Sequence, residues 1–314
     1  MTTSHSSVHV IEGQNFPAGG LVDSSRATYQ STPLVVTEIC PRVFAFMGAG
    51  GTVTAIGGSQ ECAVIDTGYG PRVHEIRSAI ASTLHQSTRW LINTHWHFDH
   101  SDGNSRFAEA GTTIVAHKNC RTRLSQDQYV ASLNWKMPAA PRTAWPVLTF
   151  DAQVEIDLGL HTLELLPQNP AHTDGDVAIW LSRPNVLVMG DLMSTGSYPI
   201  IDESSRGSLS GMIHAVERLL QLANSETIVV PGHGPIGNRD SLVAFRDMLR
   251  SIEGRIKSLI ASGLSFCKIL AANPTADFDP VWGSGYVTGD LFVRMVLAGF
   301  GVTEQPEEKI VRYR

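Results

Sequence analysis

Short apolar runs separated by glycine-rich turns dominate the first 240 positions of the chain. Residues 42–47 and 52–56 read as two strands joined by the turn at 48–51, a hairpin by the two-residue period of strand side chains. Residues 61–67 form a buried strand ending at Asp66, and a helix follows from about Arg72 to Leu84. Further strands are predicted at 90–93 and 113–116, with a short helix at 106–110 between them. The middle is richer in strands, at 154–156, 162–166, 177–181 and 186–189, with another at 227–230. Helical spacing marks residues 209–223, and the run Leu242, Phe245, Leu249, Ile252, Ile256, Leu259 predicts a long amphipathic helix. Leu291, Val293, Met295, Val296 and Phe300 predict another near the end.

Other stretches carry weaker patterns. Residues 1–34 lack periodicity and read as an irregular arm. The tail from Thr303 is charged and reads as frayed. Residues 119–150 are polar at first and then rich in Trp, Pro and Ala, which fits a lid or a plain surface excursion equally well. The chain thus divides into an arm (1–34), a strand-rich body (35–240) and C-terminal helices (241–314) packed on that body. Pattern alone gives the class as α/β or α+β.

Composition narrows the partners. A formal charge of −6 argues against a nucleic-acid surface, which wants a basic face. Cys40, Cys62, Cys120 and Cys267 include no C-x-x-C pair and no disulfide framework. The first seven residues are neither basic nor apolar, and no stretch has the length of a membrane span. The expectation is therefore a cytoplasmic protein without a membrane partner, acting on a small molecule. The glycines at 48, 50 and 51 fail as a dinucleotide fingerprint, because Val53 stands at the third glycine position and a strand follows.

Chemistry concentrates at residues 93–100, where His95, His97, Asp99 and His100 fall within six positions. Imidazole and carboxylate together suit a borderline ion such as zinc. If a strand precedes them, His95 and His97 point the same way, and Asp99 and His100 follow where the backbone turns. One core histidine is ordinary; three with a carboxylate are not. Three further segments each present one candidate beside glycine: His172 in 170–176, Asp191 in 188–192 and His233 in 229–235.

This order, H-x-H-x-D-H followed by His, Asp and His, resembles the metallo-β-lactamase fold superfamily, with Asp66 as a sixth matching element. The resemblance covers roughly residues 36–238. It implies an αββα sandwich of two mixed sheets flanked by helices. It also implies two zinc ions, with iron or manganese as alternatives: His95, His97 and His172 on one, Asp99, His100 and His233 on the other, and Asp191 bridging. Such a pair shares a hydroxide and supports hydrolysis of an ester, lactone, thioester or lactam. Asp99 would also orient the attacking water or carry a proton. Asp66 would accept a ligand imidazole N–H, or merely cap a turn. Tyr198 is a candidate substrate contact or a packed loop residue, and His117 a pocket residue or an exposed one. The hairpin at 42–56 would overhang the site, with Phe46, Met47 and the turn as candidate substrate contacts.

Departures from subfamilies bear on substrate. Ser194 stands where cysteine-ligand β-lactamases carry a carboxylate-gripping Lys, and Asp191 where they carry Cys, so any β-lactamase activity would be weak. His97 argues against the flavodiiron class, and Trp96 departs from glyoxalase-type thioesterases. Phe98 gives a partial likeness to quorum-signal lactonases. The alternative of another class is a mononuclear iron dioxygenase like the persulfide dioxygenases, which use a His-His-Asp subset. Oligomeric state is open.

Overall fold

The computed structural model describes residues 20–168 and 170–305. Strands β1 (Val35–Cys40), β2 (Val43–Met47), β3 (Val53–Gly57), β4 (Cys62–Ile65), β5 (Thr88–Ile92) and β6 (Thr113–His117) lie side by side in chain order. A separate hairpin, β7 (Gln128–Val130) with β8 (Trp135–Met137), precedes β9 (Leu148–Phe150), which extends the first sheet parallel to β6. The second sheet is also sequential: β10 (Val154–Asp157), β11 (Thr162–Pro167), β12 (Val177–Leu181), β13 (Val186–Ser194), β14 (Ile228–His233) and β15 (Gly237–Asn238). Both sheets are mixed. The β4–β5–β6 and β13–β14 pairs are parallel, while β1–β4 and β10–β13 run antiparallel.

Strand alternation assigns each side chain to a layer. In β4, Ala63 and Ile65 face the second sheet while Cys62 and Val64 face outward; in β12, Val177, Ile179 and Leu181 face inward while Ala178 and Trp180 face outward. Val43, Ile56, Ile92 and Val115 thereby meet Leu163, Leu165, Val188 and Val230 in a dry inter-sheet core. Each such fully buried side chain stabilises the fold by about 1.5–3 kcal/mol. The outer face of the first sheet is covered by helix α2 (Val73–Leu84) through Ile76, Ile80 and Leu84. The outer face of the second is covered by helices at Leu209–Leu220, Arg239–Ala261 and Gly289–Gly299. The long helix starts at a capping box between Asn238 and Ser241, which satisfies two otherwise orphan N–H groups. These layers are the αββα sandwich that the resemblance implied. Among the described residues no helix is long and apolar enough to cross a membrane.

One departure matters for the site. Residues 20–31 of the expected irregular arm form a helix, α1 (Gly20–Ser31). Among the residues whose burial is described, its inward face carries Val22, Ser25 and the half-buried Tyr29, a mixture of apolar and polar positions that does not register as periodicity. Residues 1–19 and the tail beyond 305 lie outside the described residues.

Candidate metal centre

The segment after β5 is clamped between the two sheets. Asn93 N–H donates to Val115 O at 3.0 Å, and Val177 N–H to Thr94 O at 2.8 Å. Asp66, at the end of β4 with φ +61°, fixes the same segment: it accepts from Thr94 N–H and Thr94 Oγ1, both at 2.7 Å. A left-handed Asp is tolerated because its short polar side chain bonds locally. From this anchor His95, His97, Asp99 and His100 emerge within ten residues of Asn93, all buried. Asp99 and His100 lie on a one-turn helix, Phe98–Ser101, so the turn aims them differently from the two preceding histidines.

The distant candidates arrive as the sequence pattern requires. Asp191 projects from β13 just past Gly190, and His233 ends β14, the parallel neighbour of β13. Gly232 is needed for this approach: a Cβ there would lie 2.0 Å from Asp191 Oδ1. His172 follows β11, and its backbone carbonyl is tied to Asp202 N–H at 3.0 Å.

Two groups result. The ligating atoms of His95, His97, His172 and Asp191 lie within 4.8 Å of one another, as do those of Asp99, His100 and His233. Asp191 joins them through its two oxygens. Oδ2 is 3.8 Å from His95 Nε2 and 3.6 Å from His172 Nε2, whereas Oδ1 is 3.1 Å from His100 Nε2 and 3.4 Å from His233 Nε2. Asp99 Oδ2 is 3.3 Å from His233 Nε2.

Outer partners set which nitrogen faces inward. His100 Nδ1 pairs with Asp66 Oδ2 at 2.8 Å, His172 Nδ1 with Ile200 O at 2.7 Å, and His97 Nε2 with Asp202 Oδ2 at 3.1 Å. His97 therefore presents Nδ1, which lies 3.0 Å from His172 Nε2. Fixing one nitrogen as N–H leaves the other with a free lone pair, the state a metal ligand needs.

The two groups differ electrically. Burial and the neighbouring imidazoles hold His95 well below its usual range, and burial with His97 brings His172 down to about 4. Burial also pulls on His233, but Asp191 and Asp99 lift it to about 10; His100 is lifted well above its usual range by Asp191, Asp99 and Asp66 against burial. Burial pushes Asp99 up, yet His100 and His233 hold it at about 2, and the same imidazoles hold Asp191 well below its usual range. His95 and His172 thus offer neutral lone pairs. The second group holds protons where carboxylates have concentrated negative charge, and a divalent ion can replace protons in such a place.

The donor set fits metal ions. His95 Nε2 is buried without a hydrogen-bond partner among the described residues, a loss of about 1–3 kcal/mol unless something else binds there. Imidazole nitrogens with carboxylate oxygens suit zinc.

A cavity of about 310 Å³ opens on both groups, reaching His97, Asp99, Asp191 and His233. Its walls are mostly apolar: Val22 from α1, Leu133 and Trp135 from the 119–150 excursion, Ile200, and Val287 near the C-terminus. The excursion therefore covers the site. Trp135 stacks on Trp96 with ring centroids 5.5 Å apart and meets the His97 imidazole edge-on at 5.4 Å.

Several expectations change here. The β2–β3 hairpin lines no part of this cavity, but it does border the site. Phe46 is buried against the α2 layer, while Met47, Gly48 and Gly50 border a second groove that reaches His233 and shares Tyr29 and Gly234 with the cavity. The turn also braces the second group from behind, with Gly51 N–H donating to Asp99 O at 3.0 Å; α1 occupies the place above the cavity. Tyr198 puts its ring edge at the cavity wall, but its hydroxyl donates to Asp279 Oδ1 at 2.9 Å and its ring stacks on Phe292. His117 is buried rather than exposed, and its Nδ1 accepts from Asn119 N–H to cap the helix Lys118–Leu124. Asp174 and Asp176 stabilise their loop, bonding Arg123 and Thr173 respectively. Sequence reading missed Tyr29, Trp135 and Asp202. Asp202 followed by Glu-Ser-Ser signals a turn, and it does cap one, but nothing local links it to His97.

Comparison with known proteins bears on the family and the fold. A family model described as Metallo-beta-lactamase superfamily matches residues 48–233. A hydroxyacylglutathione hydrolase from Rhodospirillum rubrum is 27% identical over 173 residues, 55% of this chain and 57% of that protein. The chain thus spans little more than half the length of that relative. An acyl-coenzyme A thioesterase from Bos taurus is 25% identical over 202 residues, 56% of this chain and 70% of that protein. In fold, a metallo-beta-lactamase from Pontibacter korlensis superposes with a TM-score of 0.56 at 22% identity, covering 69% of this chain and 99% of that one.

Proposed function

Because the chain belongs to the metallo-β-lactamase superfamily, we propose that it is a hydrolase with two zinc ions that cleaves an ester, lactone, thioester or lactam carbonyl. The observation that carries this reading is Asp191, whose two oxygens face the two groups separately. His95, His97 and His172 would hold one ion, and Asp99, His100 and His233 the other, with Asp191 between them. Ions so bound supply Lewis acidity and lower the pKa of a coordinated water to about 7.

The chain's own residues do the rest. Asp66, Ile200 and Asp202 keep three imidazoles in the tautomer that offers a lone pair inward. Asp99 faces the cavity, so its carboxylate can orient a water and carry its proton towards a leaving group. Val22, Leu133, Trp135 and Val287 exclude bulk water and favour an apolar substituent on the substrate. Thioesters belong in the list because two relatives are named as an acyl-coenzyme A thioesterase and a hydroxyacylglutathione hydrolase.

Metal analysis after native purification, followed by a panel of a p-nitrophenyl ester, an acyl-homoserine lactone, S-lactoylglutathione and nitrocefin, tests the proposal. Close to two zinc per chain with turnover of at least one carbonyl substrate is expected. A single iron per chain with no hydrolysis would overturn it in favour of oxygen chemistry. His97→Ala and Asp191→Asn should each lose most activity while remaining folded by circular dichroism.

A further inference from the structure

Tyr29 lies outside residues 48–233, the stretch the family model matches, yet it contacts two candidate ligands of the second group. Its hydroxyl donates to Asp99 Oδ2 at 3.1 Å, the oxygen that faces His233 Nε2. Its ring stacks on the His233 imidazole, with centroids 6.4 Å apart and planes 14° from parallel. Asp99 and His233 are far apart in sequence, so one side chain braces two ligands from opposite ends of the domain.

The helix carrying Tyr29 is itself held in place. Arg72, buried at the start of α2, donates from Nη1 to Tyr29 O at 2.6 Å and to Thr32 O at 2.8 Å. These are carbonyls at the C-terminal end of α1, which the helix cannot satisfy internally. Arg72 Nε pairs with Glu75 at 2.6 Å, which keeps the guanidinium aimed at them. Tyr69 and Phe98 flank the phenol ring at 6.1 and 6.3 Å. The position of the hydroxyl is thus determined from the backbone and from the ring.

We propose that Tyr29 is a positioning residue for the second metal group, holding Asp99 and His233 in ligating geometry, and that the N-terminal helix is for this reason part of the active site. The proposal rests on the two-ion hydrolase reading above. A hydrogen bond to one carboxylate oxygen restricts rotation of Asp99 about its terminal torsion, which is otherwise soft. The stacked ring does the same for the imidazole. Loss of outer partners of this kind typically lowers metal affinity about 10- to 100-fold.

The test titrates metal-free wild type, Tyr29→Phe and Tyr29→Ala with Zn²⁺ in competition with a chromophoric chelator, with circular dichroism to confirm folding. Tyr29→Phe keeps the ring and removes only the hydroxyl. It should weaken one of the two ions about 10-fold and leave the other unchanged. Tyr29→Ala loses the stack as well and should approach a 100-fold loss at the same ion. On a substrate turned over by wild type, Tyr29→Phe at limiting zinc should lose kcat while KM stays put, and saturating zinc should restore most of the rate. Wild type taking up two ions with Tyr29→Phe titrating identically would overturn the role of Tyr29 alone. Wild type taking up fewer than two ions would remove the two-ion reading and this proposal with it.

Discussion

Asp66 separates a residue that aims a metal ligand from one that merely ends a strand, and Asp66→Asn tells the two apart. The carboxylate accepts three hydrogen bonds, from Thr94 N–H, Thr94 Oγ1 and His100 Nδ1, at 2.7, 2.7 and 2.8 Å. Asparagine has the same shape and tolerates the left-handed backbone at φ +61°, so no strain is added. One end of its amide is a donor, however. Pointed at Thr94 N–H, that end leaves a backbone donor that cannot switch roles. Pointed at His100, it turns Nδ1 into an acceptor and leaves the remaining imidazole proton on Nε2, the atom 3.1 Å from Asp191 Oδ1. The first orientation leaves a buried donor unpaired and the second replaces a charge-assisted bond by a neutral one, so either costs about 1–3 kcal/mol, measurable as a lower urea midpoint in the metal-free protein. The second orientation also blocks a ligand nitrogen. A 10- to 100-fold loss of zinc affinity then reduces the extra stability conferred by saturating zinc by about 1.4–2.7 kcal/mol. Urea unfolding of wild type and Asp66→Asn, each with and without zinc, measures both quantities. An unchanged zinc increment beside a reduced metal-free stability would show that Asp66 only caps the strand end and does not set the His100 tautomer.

Three other outcomes follow from the geometry. Gly232→Ala places a Cβ 2.0 Å from Asp191 Oδ1; displacing that carboxylate by about 1 Å should lower kcat about 100-fold, and unaltered steady-state kinetics would refute its position. Tyr198→Phe removes a hydroxyl engaged by Asp279 and Thr275, so the loss should be about 1–2 kcal/mol of stability, read in the denaturation midpoint rather than in kcat. Burial holds the His117 imidazole below its usual range, with Lys118 adding to the effect and Asp174 and Asp151 opposing it. A depressed histidine pKa favours the fold above the unfolded value near 6.5 and withdraws that stability as pH falls. His117→Asn keeps an acceptor for Asn119 N–H and should flatten the loss of stability between pH 6.5 and 5 in chemical denaturation.

What the sequence disclosed, and what it withheld, follows from how many residue types can do each job. A metal ligand must be His, Asp, Glu or Cys, so His95, His97, His172, Asp191 and His233 stand out wherever they follow a β-branched run and a turn. Strands were legible for a similar reason: in β4 and β12 a period of two sorts side chains onto two buried faces. The long helix at Arg239–Ala261 was legible because six apolar positions repeat at three and four. Helix α1 was not, since its buried side includes a serine and a half-exposed tyrosine.

The residues that aim the ligands leave weaker traces. A single acceptor suffices, and it can be a carboxylate such as Asp202 or a backbone carbonyl such as Ile200, on which His172 relies at 2.7 Å. A carbonyl exists at every position, so no pattern in the side chains marks the one that is used. Asp202 meets His97 across 105 positions of chain, a pairing made only when the loop after β13 folds back over the first group. The hairpin expectation held only in part, since Met47 and the turn border a groove reaching His233 while Phe46 packs under α2. Its strands were read correctly, but the side of the metal groups on which it lies depends on α1 occupying the space above the cavity. Ligand identity is therefore a property of composition and order, whereas ligand orientation is a property of the packed fold. Substrate choice in this chain rests on the second kind of information, because the cavity walls come from α1, the 119–150 excursion and the C-terminal segment, two of which lie wholly outside the stretch matched by the family model.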